Sequence, residues 1–435
     1  MSSVKRNSSE YQEKTFDVAS ETYEPSIATN EGHGKCSSFM AYWNVVCVVA
    51  GTGALGLPYA LKQGGWFGLF ILFLSWAMSI YTGILLVRCL YAKPGHRMTT
   101  FKEISTTCFG PVGGWVTFFF LAWILLGAPT LYMVLAGQNL SQLCQGTAAE
   151  LNQKYWTIIM CVVVGIPFVL VKSMKEVAWM SAFGSFATVV VILIVLVMAC
   201  MDESAQMAKG VIHDPVVWDQ FPAALATISF SFGGNVIYPH VEASMAKPRQ
   251  WPWVITAGLS TCAFLYLLCA VPGYYIYGRD TISPIYNNIP EGVGQTIAIV
   301  LITVHVLMAA PLLTTALSLD LEDMFNITVD RFGKLKEFII RACLRVAIIV
   351  VIAVIACFVP YFSLLMGLIG SFSNCVLIFV FPVLYYFKLT GFRNKPIYEI
   401  AWCFLTILLG IVGLIFGTKD AIEGLIEATQ SGSSQ

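Results

Sequence analysis

Two interruptions of otherwise apolar sequence carry the residues that could do chemistry. The first reads Val49-Ala50-Gly51-Thr52-Gly53-Ala54-Leu55-Gly56-Leu57-Pro58. The second reads Ser229-Phe230-Ser231-Phe232-Gly233-Gly234-Asn235-Val236-Ile237-Tyr238-Pro239. Each glycine costs a helix about 1 kcal/mol relative to alanine, and proline about 3 kcal/mol. A helix broken there exposes backbone groups that have no partner within the chain. Free N–H groups at a positive dipole end suit a carboxylate, and free carbonyls suit an ammonium or a metal cation. A site with both suits a zwitterion such as an amino acid. Close helix packing, which small residues also provide, is the competing reading of either break alone.

Ionisable groups in the apolar stretches are few. His305 lies at the centre of one, within Thr303-Val304-His305-Val306-Leu307. An ionisable side chain at such depth is a functional-site hypothesis, and imidazole titrates near neutral pH, so His305 is a candidate proton carrier. A neutral histidine bonded to a neighbouring helix is the alternative. Glu242 is the second candidate for proton coupling, set against a structural pairing with Lys247 or Arg249. Thr314 and Thr315 form a candidate cation site, or a pair of hydroxyls bonded to their own helix. Neither a Gly-Lys-Ser/Thr phosphate loop nor a His-x-x-x-His metal pair is present, so the sequence points to no enzyme, no cofactor and no resident metal.

The elements that must position these residues follow from composition. Of 435 residues, 57% are hydrophobic and 11% charged, with zero formal net charge. Soluble domains are about 25% charged. This chain therefore reads as an all-α polytopic membrane protein with no affinity for nucleic acid. Eleven stretches are long enough to cross a bilayer, which takes about 20 apolar residues. They fall near 39–61, 66–88, 113–138, 155–171, 177–200, 221–243, 253–277, 293–316, 339–358, 361–386 and 398–417. The breaks fall in the first and the sixth, as two inverted repeats of five helices would place them.

Charge sets the orientation. With a cytosolic N-terminus, 20 of the 25 Lys and Arg lie on the cytosolic side, a strong positive-inside bias. The odd number of crossings then puts the C-terminus in the lumen or outside. Residues 1–37 read as a disordered cytosolic tail rather than a cleavable leader. Residues 38–417 form the membrane domain, and 418–435 a short non-cytosolic tail. Trp43, Trp66, Trp115, Trp156, Trp218, Trp251, Trp253 and Trp402 are expected in an interfacial belt. Cys144 and Cys200 alone lie near the non-cytosolic face, and both a disulfide and two thiols stay open. Asn139-Leu140-Ser141 is a glycosylation sequon that sits too near the membrane for use. Thr100–Gly110, opening on a Thr-x-x-Glu capping box, and residues 318–338 are each read as either an interfacial helix or a solvated linker.

Specific runs resemble a known family. Trp43-Asn44-Val45, Gly56-Leu57-Pro58-Tyr59-Ala60 and Gly64-Gly65-Trp66 resemble the first span of the amino acid/auxin permeases. Tyr81-Thr82-Gly83 with Cys89-Leu90-Tyr91 resembles the end of its second span. Thr100-Phe101-Lys102-Glu103-Ile104 with Cys108-Phe109-Gly110 resembles its helix before span 3, and Phe232-Gly233-Gly234 with Pro239, Met245 and Pro248 its sixth span. Vesicular inhibitory amino acid transporters and fungal vacuolar neutral amino acid transporters are the nearest branch. The tail is shorter than in many vacuolar members, and Glu242 does not fit the vesicular pattern.

The resemblance implies the amino acid–polyamine–organocation fold, with discontinuous helices 1 and 6. It implies secondary transport of neutral amino acids coupled to protons, as symport or antiport, by a monomeric unit among membrane lipids. A vacuolar or vesicular membrane is expected first, the plasma membrane second. By the same analogy Gly51, Thr52, Gly53, Ala54, Leu55 and Gly56 hold the substrate carboxylate. Carbonyls around Ser231, Phe232 and Gly233 receive its ammonium, and Phe230, Phe232 and Asn235 face its side chain. An amino acid sensor without net transport is the alternative function.

Overall fold

The computed structural model describes residues 34–432 apart from 35, 94, 171–173 and 394, and no side chain is described for 174–183, 185, 431 or 432. Of the predicted tail 1–37, residues 1–33 and 35 lie outside the described residues, while Cys36 pairs by its backbone with Ser244 and Ala246. The helices are α1 (Ser38–Val49), α2 (Gly53–Gly64), α3 (Phe67–Leu90), α4 (Phe101–Leu143), α5 (Gln153–Leu170), α6 (Met174–Ala208), α7 (Phe221–Ser231) and α8 (Tyr238–Ser244). There follow α9 (Trp251–Tyr277), α10 (Val293–Met324), α11 (Val329–Phe332), α12 (Lys334–Phe358), α13 (Phe362–Ile369), α14 (Phe381–Thr390), α15 (Ile397–Val412) and α16 (Thr418–Gly432).

Among the described residues, nine helical segments are long and apolar enough to cross a membrane, and α1 with α2 form a tenth, bent by 56°. The short helices α7 and α8, joined through a 3-10 turn at Asn235–Ile237, occupy the sixth stretch expected to cross. Both breaks thus fall where the glycines put them. The tenth crossing carries a third irregularity. Between α13 and α14 the chain winds as a π-helix over Gly370–Val380. Such widened turns are rare and recur at functional sites.

Several local expectations change. Gly110 has φ 73, a left-handed conformation that suits glycine, so α4 is a short leading segment kinked against its span. Glu103 N–H donates to Thr100 Oγ1 at 3.2 Å, while the Glu103 carboxylate caps Thr99 N–H at 2.7 Å. Residues 318–338 divide three ways: 318–324 extend α10, 325–333 form a short connection carrying α11, and 334–338 open α12. α10 runs on to Met324 because Glu322 reaches Arg345 of α12, 2.8 Å away and fully buried. The segment 418–432 is no loose tail. It is α16, which continues α15 through a π-turn and packs on α13, with Tyr361 Oη donating to Ala428 O at 2.9 Å.

Trp251, at the first residue of α9, packs into the protein, and its indole N–H donates to Gly83 O at 3.1 Å. Cys144 and Cys200 are both free thiols. Asn139 is 1% exposed and committed to Thr303 and Tyr286, which removes it as an acceptor for sugar.

The loop between α6 and α7 is pinned over α3 by Trp66 N–H donating to Asp214 O and Phe67 N–H to Pro215 O, both at 3.0 Å. Arg279 hydrogen-bonds the Asp214 carboxylate and holds its carboxyl below the usual carboxylate value. A group depressed on folding stabilises the fold above its unfolded value, 3.8 here, and that contribution disappears as pH falls through the lower folded value. The expected result is that Asp214→Asn melts earlier than wild type near neutral pH and that the gap closes in strong acid. Thermal denaturation across that range checks it, and a pH-independent gap would refute the pairing as its cause.

Candidate functional site

The two breaks face one another. A Cβ added at Gly53 would lie 2.8 Å from Ser231 Cα, so the start of α2 and the end of α7 touch at backbone distance. Beside this contact is a small cavity of about 60 Å³. Gly51, Thr52, Gly53, Phe230, Ser231 and Gly233 line it, together with Tyr132 and Leu313 of the surrounding spans and Asn374 of the π-helix.

The backbone here offers both kinds of group. The N–H groups of Thr52 and Gly53, at the start of α2, donate to no other group of the described chain. The Thr52 hydroxyl is also buried; it makes no close hydrogen bond among the described residues, and the Tyr132 hydroxyl is the polar neighbour it interacts with. These are donors at a helix N-terminus, aimed where an anion would be stabilised. The carbonyl ends are partly occupied. Tyr266 Oη stands between Val49 O, 2.7 Å away, and Ser231 O, 2.5 Å away. One phenolic proton is shared by the two carbonyls, so Tyr266 links the ends of α1 and α7 directly.

The predicted residues separate into two sets. Ala54 and Leu55 are fully buried on the far side of α2, and Gly56 faces Met366, whose Cε would lie 2.6 Å from an added Cβ. Phe232 packs on Tyr266 with ring centroids 5.3 Å apart. Asn235 turns toward Leu377 O at 3.5 Å. These five do not line the cavity. A helix places neighbouring side chains on different faces, so a continuous run of residues cannot all reach one ligand. Sequence reasoning missed Tyr132, Tyr266 and Asn374. Asn374 had a signal in being the one carboxamide within the apolar tenth crossing; tyrosines in spans 3 and 7 gave none.

His305 is 2% exposed and sits behind Gly51, with its Nε2 3.8 Å from where a Cβ of residue 51 would be. Its Nδ1 is 3.2 Å from Thr188 Oγ1, and Nε2 has no partner among the described residues. The imidazole therefore points an unpaired nitrogen at the first break. Thr314 donates back to Ala310 O at 3.0 Å, whereas the Thr315 hydroxyl is buried and unpaired. Glu242 is wholly buried, and its partners are not Lys247 or Arg249. Arg97 and Tyr91 hold it, and Arg97 Nη2 also donates to Pro239 O at 2.8 Å. The folded path of the loop after α3 brings them there, a contact distant in sequence.

Polar ties sort the helices into two groups. Glu242 joins the sixth span to the loop after the second, Trp251 joins the seventh to the second, and Tyr266 joins the seventh to the first and sixth. Asn139 joins the third span to the eighth, and Arg345 joins the ninth to Glu322 of the eighth and Phe168 O of the fourth. The cavity lies between the groups.

Helices that cross a bilayer, broken at the first and sixth crossing around a buried cavity with unpaired donors, define a membrane transporter of the discontinuous-helix type. Solved structures agree on the fold. A Na+-coupled sialic acid symporter superposes with TM-score 0.53 over 89% of this chain and 90% of its own, at 11% identity. A manganese transporter of Eremococcus coleocola gives 0.54 over 92% of each, at 13% identity. Residues 34–423 match the family described as transmembrane amino acid transporter protein, and the chain belongs to that family. Its relatives include amino acid transporter AVT1B of Arabidopsis thaliana, 27% identical over 92% of this chain and 74% of that one. The human vesicular inhibitory amino acid transporter is 27% identical over 91% of this chain and 78% of that one. These relatives are transporters, not enzymes.

Proposed function

We propose that the chain is a secondary active transporter of neutral amino acids, driven by protons and working by alternating access in a vacuolar or vesicular membrane. The observation that carries this reading is the unpaired Thr52 and Gly53 N–H groups facing a cavity shared with the broken sixth span. The substrate carboxylate meets those donors. Its ammonium meets the Asn374 side-chain oxygen and the carbonyls left at the end of α7. Apolar walls from Ile124, Leu125 and Leu313 favour an uncharged side chain.

With the N-terminus cytosolic, a second cavity at the Lys102 end opens toward the cytosol. It shares Leu125, Val236 and Ile237 with the central one. On the opposite side the Gly53–Ser231 contact closes the path, so the molecule faces inward. A proton falling through about 100 mV supplies about 2.3 kcal/mol, and each pH unit adds about 1.4 kcal/mol. Together these support concentration gradients of a few hundred-fold.

His305 is assigned the coupled proton, since its free Nε2 borders the first break. His305→Gln keeps a hydrogen-bonding side chain but cannot titrate. Its uptake should lose the dependence on pH seen in wild type while binding at fixed pH persists; an unchanged pH profile would end the assignment. For the function as a whole, purified protein is reconstituted in proteoliposomes with an imposed pH gradient and labelled neutral amino acids. Accumulation abolished by a protonophore is the expected result. Accumulation indifferent to the protonophore would remove proton coupling. Binding without any uptake would favour the sensor.

A further inference from the structure

The cavity at the Lys102 end carries charges that the central site does not use. Its volume is about 170 Å³. Lys102, Asp320 and Asp323 line it, with apolar walls from Phe118 and Met324. Among the described residues, no carboxylate pairs with Lys102. Its ammonium sits 4.8 Å from the centroid of Trp115 and 5.4 Å from that of Phe118, and otherwise reaches only Met324 Sδ at 3.9 Å. Two aromatic faces and a thioether hold this cation in place without neutralising it. Asp320 is half-buried and makes no hydrogen bond or ion pair with the described chain, yet it is close enough to feel the charges of both Lys102 and Asp323.

Opposite charges lining one cavity without touching leave their pairing to an occupant. A burial cost on Asp320 and a fixed ammonium on Lys102 are both relieved by a molecule that carries an ammonium and a carboxylate at once. We propose that this vestibule is a second binding station for a zwitterionic amino acid, with Asp320 taking the ammonium and Lys102 the carboxylate. The station rests on the reading of the chain as an amino acid transporter. It also adds to that reading, because the vestibule shares Leu125, Val236 and Ile237 with the central cavity. A substrate leaving the central site enters it directly. Charge-assisted hydrogen bonds of this kind are about twice as strong as neutral ones, so either charge is needed for retention.

The test measures equilibrium binding of tritiated neutral amino acids to the full chain in nanodiscs, alongside proteoliposome uptake. Wild type should saturate in two phases summing to two amino acids per chain. Lys102→Gln and Asp320→Asn should each lose one phase, with affinity of that phase falling about tenfold or more, and keep the other. Gly53→Leu should lose the complementary phase while the one removed by Lys102→Gln remains. A single phase in wild type that Gly53→Leu abolishes and Lys102→Gln leaves intact would overturn the second station and leave the central site standing. Absence of both binding and uptake in wild type, for every amino acid tried, would overturn the transport reading and the station with it. The sum Lys102→Gln plus Asp320→Asn should lose no more than the one phase; loss of both phases would mean that these residues act on the whole fold and would also overturn it.

Discussion

Gly53→Leu should reduce uptake to background while the protein still folds and reaches the membrane. The reason is local. A Cβ at this position meets Ser231 at 2.8 Å from Cα and 2.8 Å from Oγ. Atoms this close must separate, and Ser231 Cα is backbone, which cannot swing aside as a side-chain tip can. Widening the contact drives α2 away from α7, the two elements that frame the cavity, and the leucine branches then fill space beside the free N–H groups of Thr52 and Gly53. Overpacking of this kind costs about 1–3 kcal/mol in stability, tolerable in a bundle this large. The loss therefore falls on transport. Gly56→Ala is the matched control. It sits one turn along the same helix, and its nearest neighbour is Met366 Cε, the flexible end of a side chain that can move. Gly56→Ala should retain most of the wild-type rate. Uptake by equal amounts of reconstituted protein, with thermal melting alongside, distinguishes the two. Equal activity in Gly53→Leu and wild type would mean that the first break is packing alone.

That contrast also shows how far the sequence could be read. Glycine and proline disrupt helices through their own backbone chemistry, so the two breaks and the eleven apolar stretches were legible without any tertiary contact. What an interrupted helix does with its freed groups is not a local property. Whether Gly51 or Gly56 faces a ligand depends on which side of a turn it occupies and on what packs there: Met366 for one, a cavity for the other. Tyr266 was invisible for the same reason. A tyrosine in an apolar stretch reads as core, and only the fold puts its hydroxyl between two carbonyls more than 180 residues apart in sequence. Charges near helix ends misled in another way. Glu242 has Lys247 and Arg249 beside it in sequence, but burial selects a partner that can be desolvated with it, and Arg97 supplies a planar fork with several donors. His305 was legible as unusual because few ionisable groups lie within the spans. The direction of its unpaired nitrogen was not.

Arg97→Ala should be the most destabilising single charge removal at the N-terminal end of the bundle. Glu242 is completely buried, and Arg97 gives it a hydrogen bond from Nε at 3.0 Å and another from Nη2, with Tyr91 adding a third. Truncating the arginine leaves a buried carboxylate facing one hydroxyl. Breaking a buried pair from one side costs about 3–5 kcal/mol, because the remaining charge is uncompensated. Glu242→Gln should cost less, since its amide oxygen still accepts from Arg97 or Tyr91 and the Arg97 side chain, 24% exposed, reaches solvent. The double variant Arg97→Ala with Glu242→Gln should recover part of what Arg97→Ala loses, a non-additivity that a double-mutant cycle reads as the coupling between the two. Thermal melting of the three variants in detergent measures it, and a strictly additive double variant would show that the ion pair contributes nothing. Function should follow stability in an ordered way. The pair fastens α8 to the loop after α3, within the group that also holds the first and seventh spans. If that group moves as one body against the third, fourth, eighth and ninth spans, loosening α8 uncouples its half of the sixth span from the motion. Arg97→Ala should then bind substrate at the central site yet transport it slowly, even at temperatures well below its melting point, and the double variant should restore melting temperature more completely than rate.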